Sequence, residues 1–139
     1  MLRNILSILG GLITGILFIF IIEGVAHALY PPPSGIDLRD PAVFKEFIST
    51  LPVAAGLLIL TAYAAGSFFG GLVASLIAVR MKLSKAITIG GILMGLGMFN
   101  MITLGHPLWM ILFGIVVFVP FSYLGGYMGV KLSHRKRME

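Results

Sequence analysis

Residues 5–22 read ILSILGGLITGILFIFII, eighteen positions without a charge. Crossing a bilayer core takes ~20 apolar residues at about 1.5 Å of rise each. The run is therefore a membrane span, and it continues less purely to Leu29, giving a first span over residues 4–29. Three further runs of the same kind follow, at residues 52–79, 86–105 and 108–130. The second is long enough to tilt or to begin in the headgroup layer. Barrel strands would show alternating segments of ~10 residues, and no such alternation is present. Of the 139 residues 58% are apolar and 11% charged, and mean hydropathy is +1.05. A soluble domain is usually ~45–50% apolar and ~25% charged. A chain this short exposes too much surface to hide such an excess in a water-soluble core. The sequence thus predicts an all-α membrane protein, a four-transmembrane-helix bundle forming one membrane domain. It excludes a soluble enzyme and a disordered chain.

Charge sets the expected direction. Arg3 precedes the first span, Arg80, Lys82 and Lys85 separate the second from the third, and Lys131, Arg135, Lys136 and Arg137 follow the fourth. Only Arg39 and Lys45 lie on the opposite side. Eight basic residues against two is a positive-inside pattern. It places both termini in the cytoplasm, with residues 131–139 as a basic cytoplasmic tail. Arg3, the apolar stretch and Ala26-His27-Ala28 also fit a cleavable signal, but the first run exceeds the ~7–15 residues of such a segment. We therefore read it as a retained span. Nucleic-acid binding has no support, because the basic residues flank spans instead of forming a recognition module. There is no cysteine, which excludes disulfides and thiolate metal sites.

The outer loop covers residues 30–51. Pro31, Pro32 and Pro33 force a stiff, extended exit from the first span. Asp40-Pro41 has the pattern of an N-cap followed by the first helical position. Val43, Phe44, Phe47, Ile48 and Leu51 then share one helix face, opposite Lys45, Glu46, Ser49 and Thr50. This predicts a short interfacial amphipathic helix. Its simplest role is a membrane-resting connector, and its sharper role is a lid over a site.

Glycine pairs recur. The first span holds GGLITG at residues 10–15 and the third GGILMG at 90–95. The second holds SFFGGLVA at 67–74 and the fourth SYLGGYMG at 122–129. The pattern reads as a duplicated helical hairpin. Small residues let helix backbones approach, and in lipid this packing replaces the hydrophobic drive. Gly11, Gly15, Gly66, Gly70, Gly71, Gly91, Gly95, Gly125 and Gly129 are the expected packing positions. Leftover small faces make a homo-oligomer, or a membrane-protein partner, the expected assembly.

Ionisable groups inside a membrane are costly and mark function by default. Glu23 is the one acidic residue within a span, and His27 follows at i+4 on the same face. Tyr63, Asn100, Thr103 and His106 belong to the same outer level. Together these six are the candidate ligand-binding residues. Glu23, His27 and His106 are also candidate ligands for a divalent metal, since imidazole and carboxylate suit zinc or iron. The plain alternative is that Glu23 hydrogen-bonds to its neighbours and fixes helix register. No nucleophile stands in a convincing context beside Glu23 and His27, so an enzyme is not expected. The leading expectation is binding or transport of a small solute or ion through an outward-facing polar site around Glu23. The alternatives are a non-catalytic helix-packing or scaffold partner and a metal-binding membrane protein.

EGVAHALYPPP at residues 23–33, GID at 35–37, DP at 40–41 and AGSFFGG at 65–71 resemble a family of small, uncharacterised bacterial proteins with four membrane spans. The resemblance covers most of the chain. It implies the four-span fold and a bacterial inner-membrane location, and it brings no activity, substrate or cofactor. Small multidrug transporters also carry one glutamate in the first of four spans. Here the glutamate lies late in its span, so that likeness fails on position.

Overall fold

The computed structural model describes residues 2–135. Five helices follow in order: α1 Leu2–Leu29, α2 Pro41–Thr50, α3 Val53–Ile77, α4 Lys82–Thr103 and α5 Leu108–Arg135. No strand occurs among the described residues. Four of the helices, all but α2, are long and apolar enough to cross a membrane. The four expected spans are therefore the four long helices, with ends shifted by a few residues. The largest shift is at the end of α5, which continues through Pro120 and on to Arg135. The first residues of the expected tail are thus helical, while Lys136 and Arg137 lie outside the described residues.

α3 is the hub. It packs on α1, α5 and α4, whereas α1 touches α4 only lightly and does not pack on α5. The reason lies in its side chains. Ala62, Gly66, Gly70, Ala74 and Ala78 recur every four residues and are all buried. On α1 the matching face is Ser7, Gly11 and Gly15. A Cβ at Gly11 would stand 2.8 Å from the Gly70 carbonyl oxygen, and one at Gly15 would stand 2.9 Å from that of Gly66. The pairing runs antiparallel, and each backbone occupies the space a side chain would need. On its other flank α3 meets α5 through Gly71 against the Ser122 carbonyl and Gly125 against that of Phe68. Ser122 also donates to the Ala86 carbonyl at 2.5 Å, tying α5 to α4. At the end of the bundle that carries most of the basic residues, Lys82 Nζ donates to Ser133 Oγ at 2.8 Å.

One packing expectation needs correction. Gly91 and Gly95 face open space, so within one chain they hold nothing together. The contact on that helix is made instead by Gly90 against Ser122 and Phe118, and by Gly97 against Phe118. The two hairpins pack unequally, since α3 meets α4 whereas α5 does not meet α1.

Towards the other end, which we call the loop end, larger residues take over. Leu60, Tyr63, Leu93, Met101, Met110 and Phe118 form the core there and through the bundle centre. The Tyr63 ring stacks on Phe118 with centroids 5.0 Å apart. α2 lies across this end with side-chain contacts alone. Asp40 caps it, accepting from the Ala42 amide at 2.9 Å, and Pro41 is its first residue.

The glycine contacts generate a paired prediction. In Gly125→Ala the new methyl meets the Phe68 backbone, which cannot give way as a side-chain end would. Overpacking of this kind costs about 1–3 kcal/mol. Gly95→Ala meets nothing. Thermal melts in detergent should show a clear loss for the first and none for the second. Equal losses would contradict the packing described.

Candidate functional site

At the loop end the helices enclose a cavity of about 190 Å³ beneath α2. It is built from separate segments, each placed by a local rule. Glu23, Ala26 and His27 come from one face of α1, and Tyr30 follows directly after its end, at i, i+3, i+4 and i+7. Tyr63 comes from the buried face of α3, and Asn100 from the last turn of α4. α2 supplies the roof through Phe44, Phe47 and Ile48, with Leu51 just after it. The apolar face of the amphipathic helix therefore covers polar groups, which is the lid-like arrangement.

His106 reaches the cavity by a helix-terminating motif. Gly105 has φ +71°, a conformation open to glycine at little cost. The Gly105 amide donates to the Ile102 carbonyl at 3.2 Å and the His106 amide to that of Met101 at 3.0 Å. This is the Schellman pattern. It ends α4 and turns His106 back over the bundle, where the Lys45 stem packs against Gly105. His106 is 9% exposed, and its Nδ1 is buried without a hydrogen-bond partner. Burial holds the imidazole below the usual histidine range, and the Met101 backbone carbonyl opposes this only in part.

Polar contacts inside the cavity are few and directed. Tyr63 and Glu23 line the same cavity as neighbouring polar side chains. Tyr63 is 3% exposed, so its ring lies at the cavity floor. His27 Nδ1 lies 2.8 Å from the Glu23 backbone carbonyl. A carbonyl oxygen only accepts, so Nδ1 carries the hydrogen and, in the neutral ring, Nε2 is left as an acceptor. Among the described residues Glu23 is the only acid lining the cavity, and no lysine or arginine lines it.

Five of the six expected ligand-binding residues thus meet in one place: Glu23, His27, Tyr63, Asn100 and His106. Thr103 does not. It is exposed on the outer face of α4, and its hydroxyl donates to the Phe99 carbonyl one turn back at 2.7 Å. The metal expectation also fails on geometry. Among the described residues no three His, Asp or Glu side chains converge closely enough to hold a metal ion, so Glu23, His27 and His106 do not form a ligand set. Tyr30, which is outside the expected set, also lines the cavity. Its i+7 spacing from Glu23 was the available signal. Comparison of the chain with protein-family models, curated proteins and solved structures gave no match.

The His106 environment sets a pH dependence. A histidine whose folded pKa is depressed binds fewer protons folded than unfolded, so stability is lost as pH falls below the unfolded value near 6.5. The melting temperature should fall between pH 7 and pH 5. His106→Gln, which cannot take up that proton, should flatten the decline. A variant that keeps the full slope would place the titrating group elsewhere.

Proposed function

We propose that the protein binds or transports a small solute or ion through the polar site at Glu23. It would reside in a bacterial inner membrane, with both termini cytoplasmic and the site opening outward. One observation carries the reading. Polar side chains from α1, α3, α4 and the α4–α5 turn converge on a cavity large enough for more than a single water. A carboxyl used only to fix helix register would need one partner and no space beside it. The positions of the basic residues support the orientation. The other half of the bundle is closed by backbone contacts at Gly11, Gly15, Gly66 and Gly70. In a transport cycle these are the contacts that would part.

A second reading, a helix-packing partner of another membrane protein or of a second copy, is favoured by one observation. Gly91 and Gly95 form a small, open face on α4, the kind of surface on which transmembrane helices associate.

The chain has no native cysteine, so single cysteines at positions 19, 23 and 27 report access cleanly. An impermeant maleimide applied to intact cells should label 23 and 27 quickly and 19 slowly. Absence of labelling at 23 in a correctly inserted protein would make Glu23 a dry structural residue and end the solute reading. In reconstituted vesicles Glu23→Gln should abolish solute binding or flux with an unchanged melting profile. Under the partner reading that variant is silent, and bulk at Gly91 or Gly95 abolishes assembly.

A further inference from the structure

The cavity beneath α2 does not end at Glu23. A second space of about 230 Å³ lies between α1 and α4 and shares Glu23, Tyr63 and Asn100 with the first. Its remaining walls are apolar, chiefly Ile16, Ile19, Phe20, Leu93 and Leu96. It exists because α1 leans on α3 and barely meets α4. Phe20 is 68% exposed and Leu96 54%, so the groove opens sideways on the surface that a bilayer would cover. The polar cluster is therefore reached from two directions, past α2 and laterally between two spans.

We infer that the site takes a cationic amphiphile, with an ammonium head beside Glu23 beneath α2 and a single alkyl chain in the α1–α4 groove. The inference rests on the solute-binding reading and names its ligand class. Charge selects the head. Among the described residues Glu23 is the only acid facing either space, and no lysine or arginine lines them. Tyr30, Phe44, Phe47 and Tyr63 line the head cavity, and aromatic walls around one carboxyl are a setting in which ammonium groups are recognised through ring faces. Asn100 offers an amide oxygen. His106, nine-tenths buried with Nδ1 unpartnered, offers a polar atom that the protein itself leaves unused. An anionic head would meet the Glu23 carboxyl, and a neutral one would leave the aromatic walls without a role.

Length suits the chain. From Ile16 to Glu23 α1 rises about 10 Å, and α4 offers a matching wall from Leu93 to Asn100. A chain moving from bilayer to groove gains little free energy, because both are apolar. The groove therefore sets where the ligand comes from, and the head sets which ligand is held.

The test uses the full chain in lipid discs of phosphatidylglycerol, which has no ammonium group to compete. Leu51→Cys at the cavity roof serves as the reporter, read as protection from an impermeant maleimide. Dodecyltrimethylammonium should protect at concentrations about tenfold or more below those of tetramethylammonium, and dodecyl sulfate should not protect. Leu96→Trp fills the groove from its exposed side without altering partition into the disc. It should remove most of the chain-length advantage and leave tetramethylammonium unchanged. Glu23→Gln should weaken both cations by about tenfold or more. An advantage that survives Leu96→Trp, or equal protection by dodecyl sulfate, overturns the inference. Glu23-dependent protection with no chain-length advantage also overturns it while leaving the solute-binding reading in place. Protection by neither cation overturns it as well, and accessibility at positions 23 and 27 then decides the broader reading on its own.

Discussion

The structure depends on backbone-to-backbone contact between glycines along α3. Water is absent from a bilayer core, so apolar side chains gain nothing by leaving lipid for the bundle interior. What remains is close packing and the dispersion contacts it brings. α3 presents small residues on two flanks, Gly66 and Gly70 towards α1 and Gly71 towards α5. Each lets a neighbouring carbonyl into space that a side chain would fill. α1 has only this seam and a light touch on α4, which leaves most of its surface exposed.

The two halves of the bundle are packed differently. The seam at Gly11 and Gly70 closes one half, while Leu60, Tyr63, Met110 and Phe118 belong to the core of larger side chains. α2 covers the loop end with Phe44, Phe47 and Ile48, and the remaining space is the cavity at Glu23. The same imbalance leaves the α1–α4 gap. The polar site and its sideways opening are thus two outcomes of unequal helix packing.

The polar groups gain strength from this setting. A carboxyl and a phenol that meet under an apolar roof interact in a low-dielectric environment, where a hydrogen bond is stronger and an unpaired group more costly than in water. His106 Nδ1 is buried without a partner, so the polar groups around Glu23 are not all satisfied by one another.

The sequence by itself determined the four long apolar helices, the amphipathic α2 with its Asp40 cap, the loop end as the polar end, and five polar residues that the fold brings to one cavity. These follow from hydropathy, helical periodicity and the rule that intramembrane polar groups are conspicuous, all of which are local in the chain. Tertiary structure alone decided the rest. Gly90 and Gly91 are adjacent in sequence, yet only the first is packed, because which side of α4 meets α5 depends on how the helices rotate about their axes. Thr103 and Asn100 lie one turn apart, and only Asn100 faces the cavity. Glu23, His27 and His106 lie at the same end of the bundle without converging as metal ligands, since that end is set by position along a helix and convergence by helix rotation. Span length and charge fix depth, but rotation is fixed by the sum of the contacts a helix makes with all its neighbours, and no single segment carries that information.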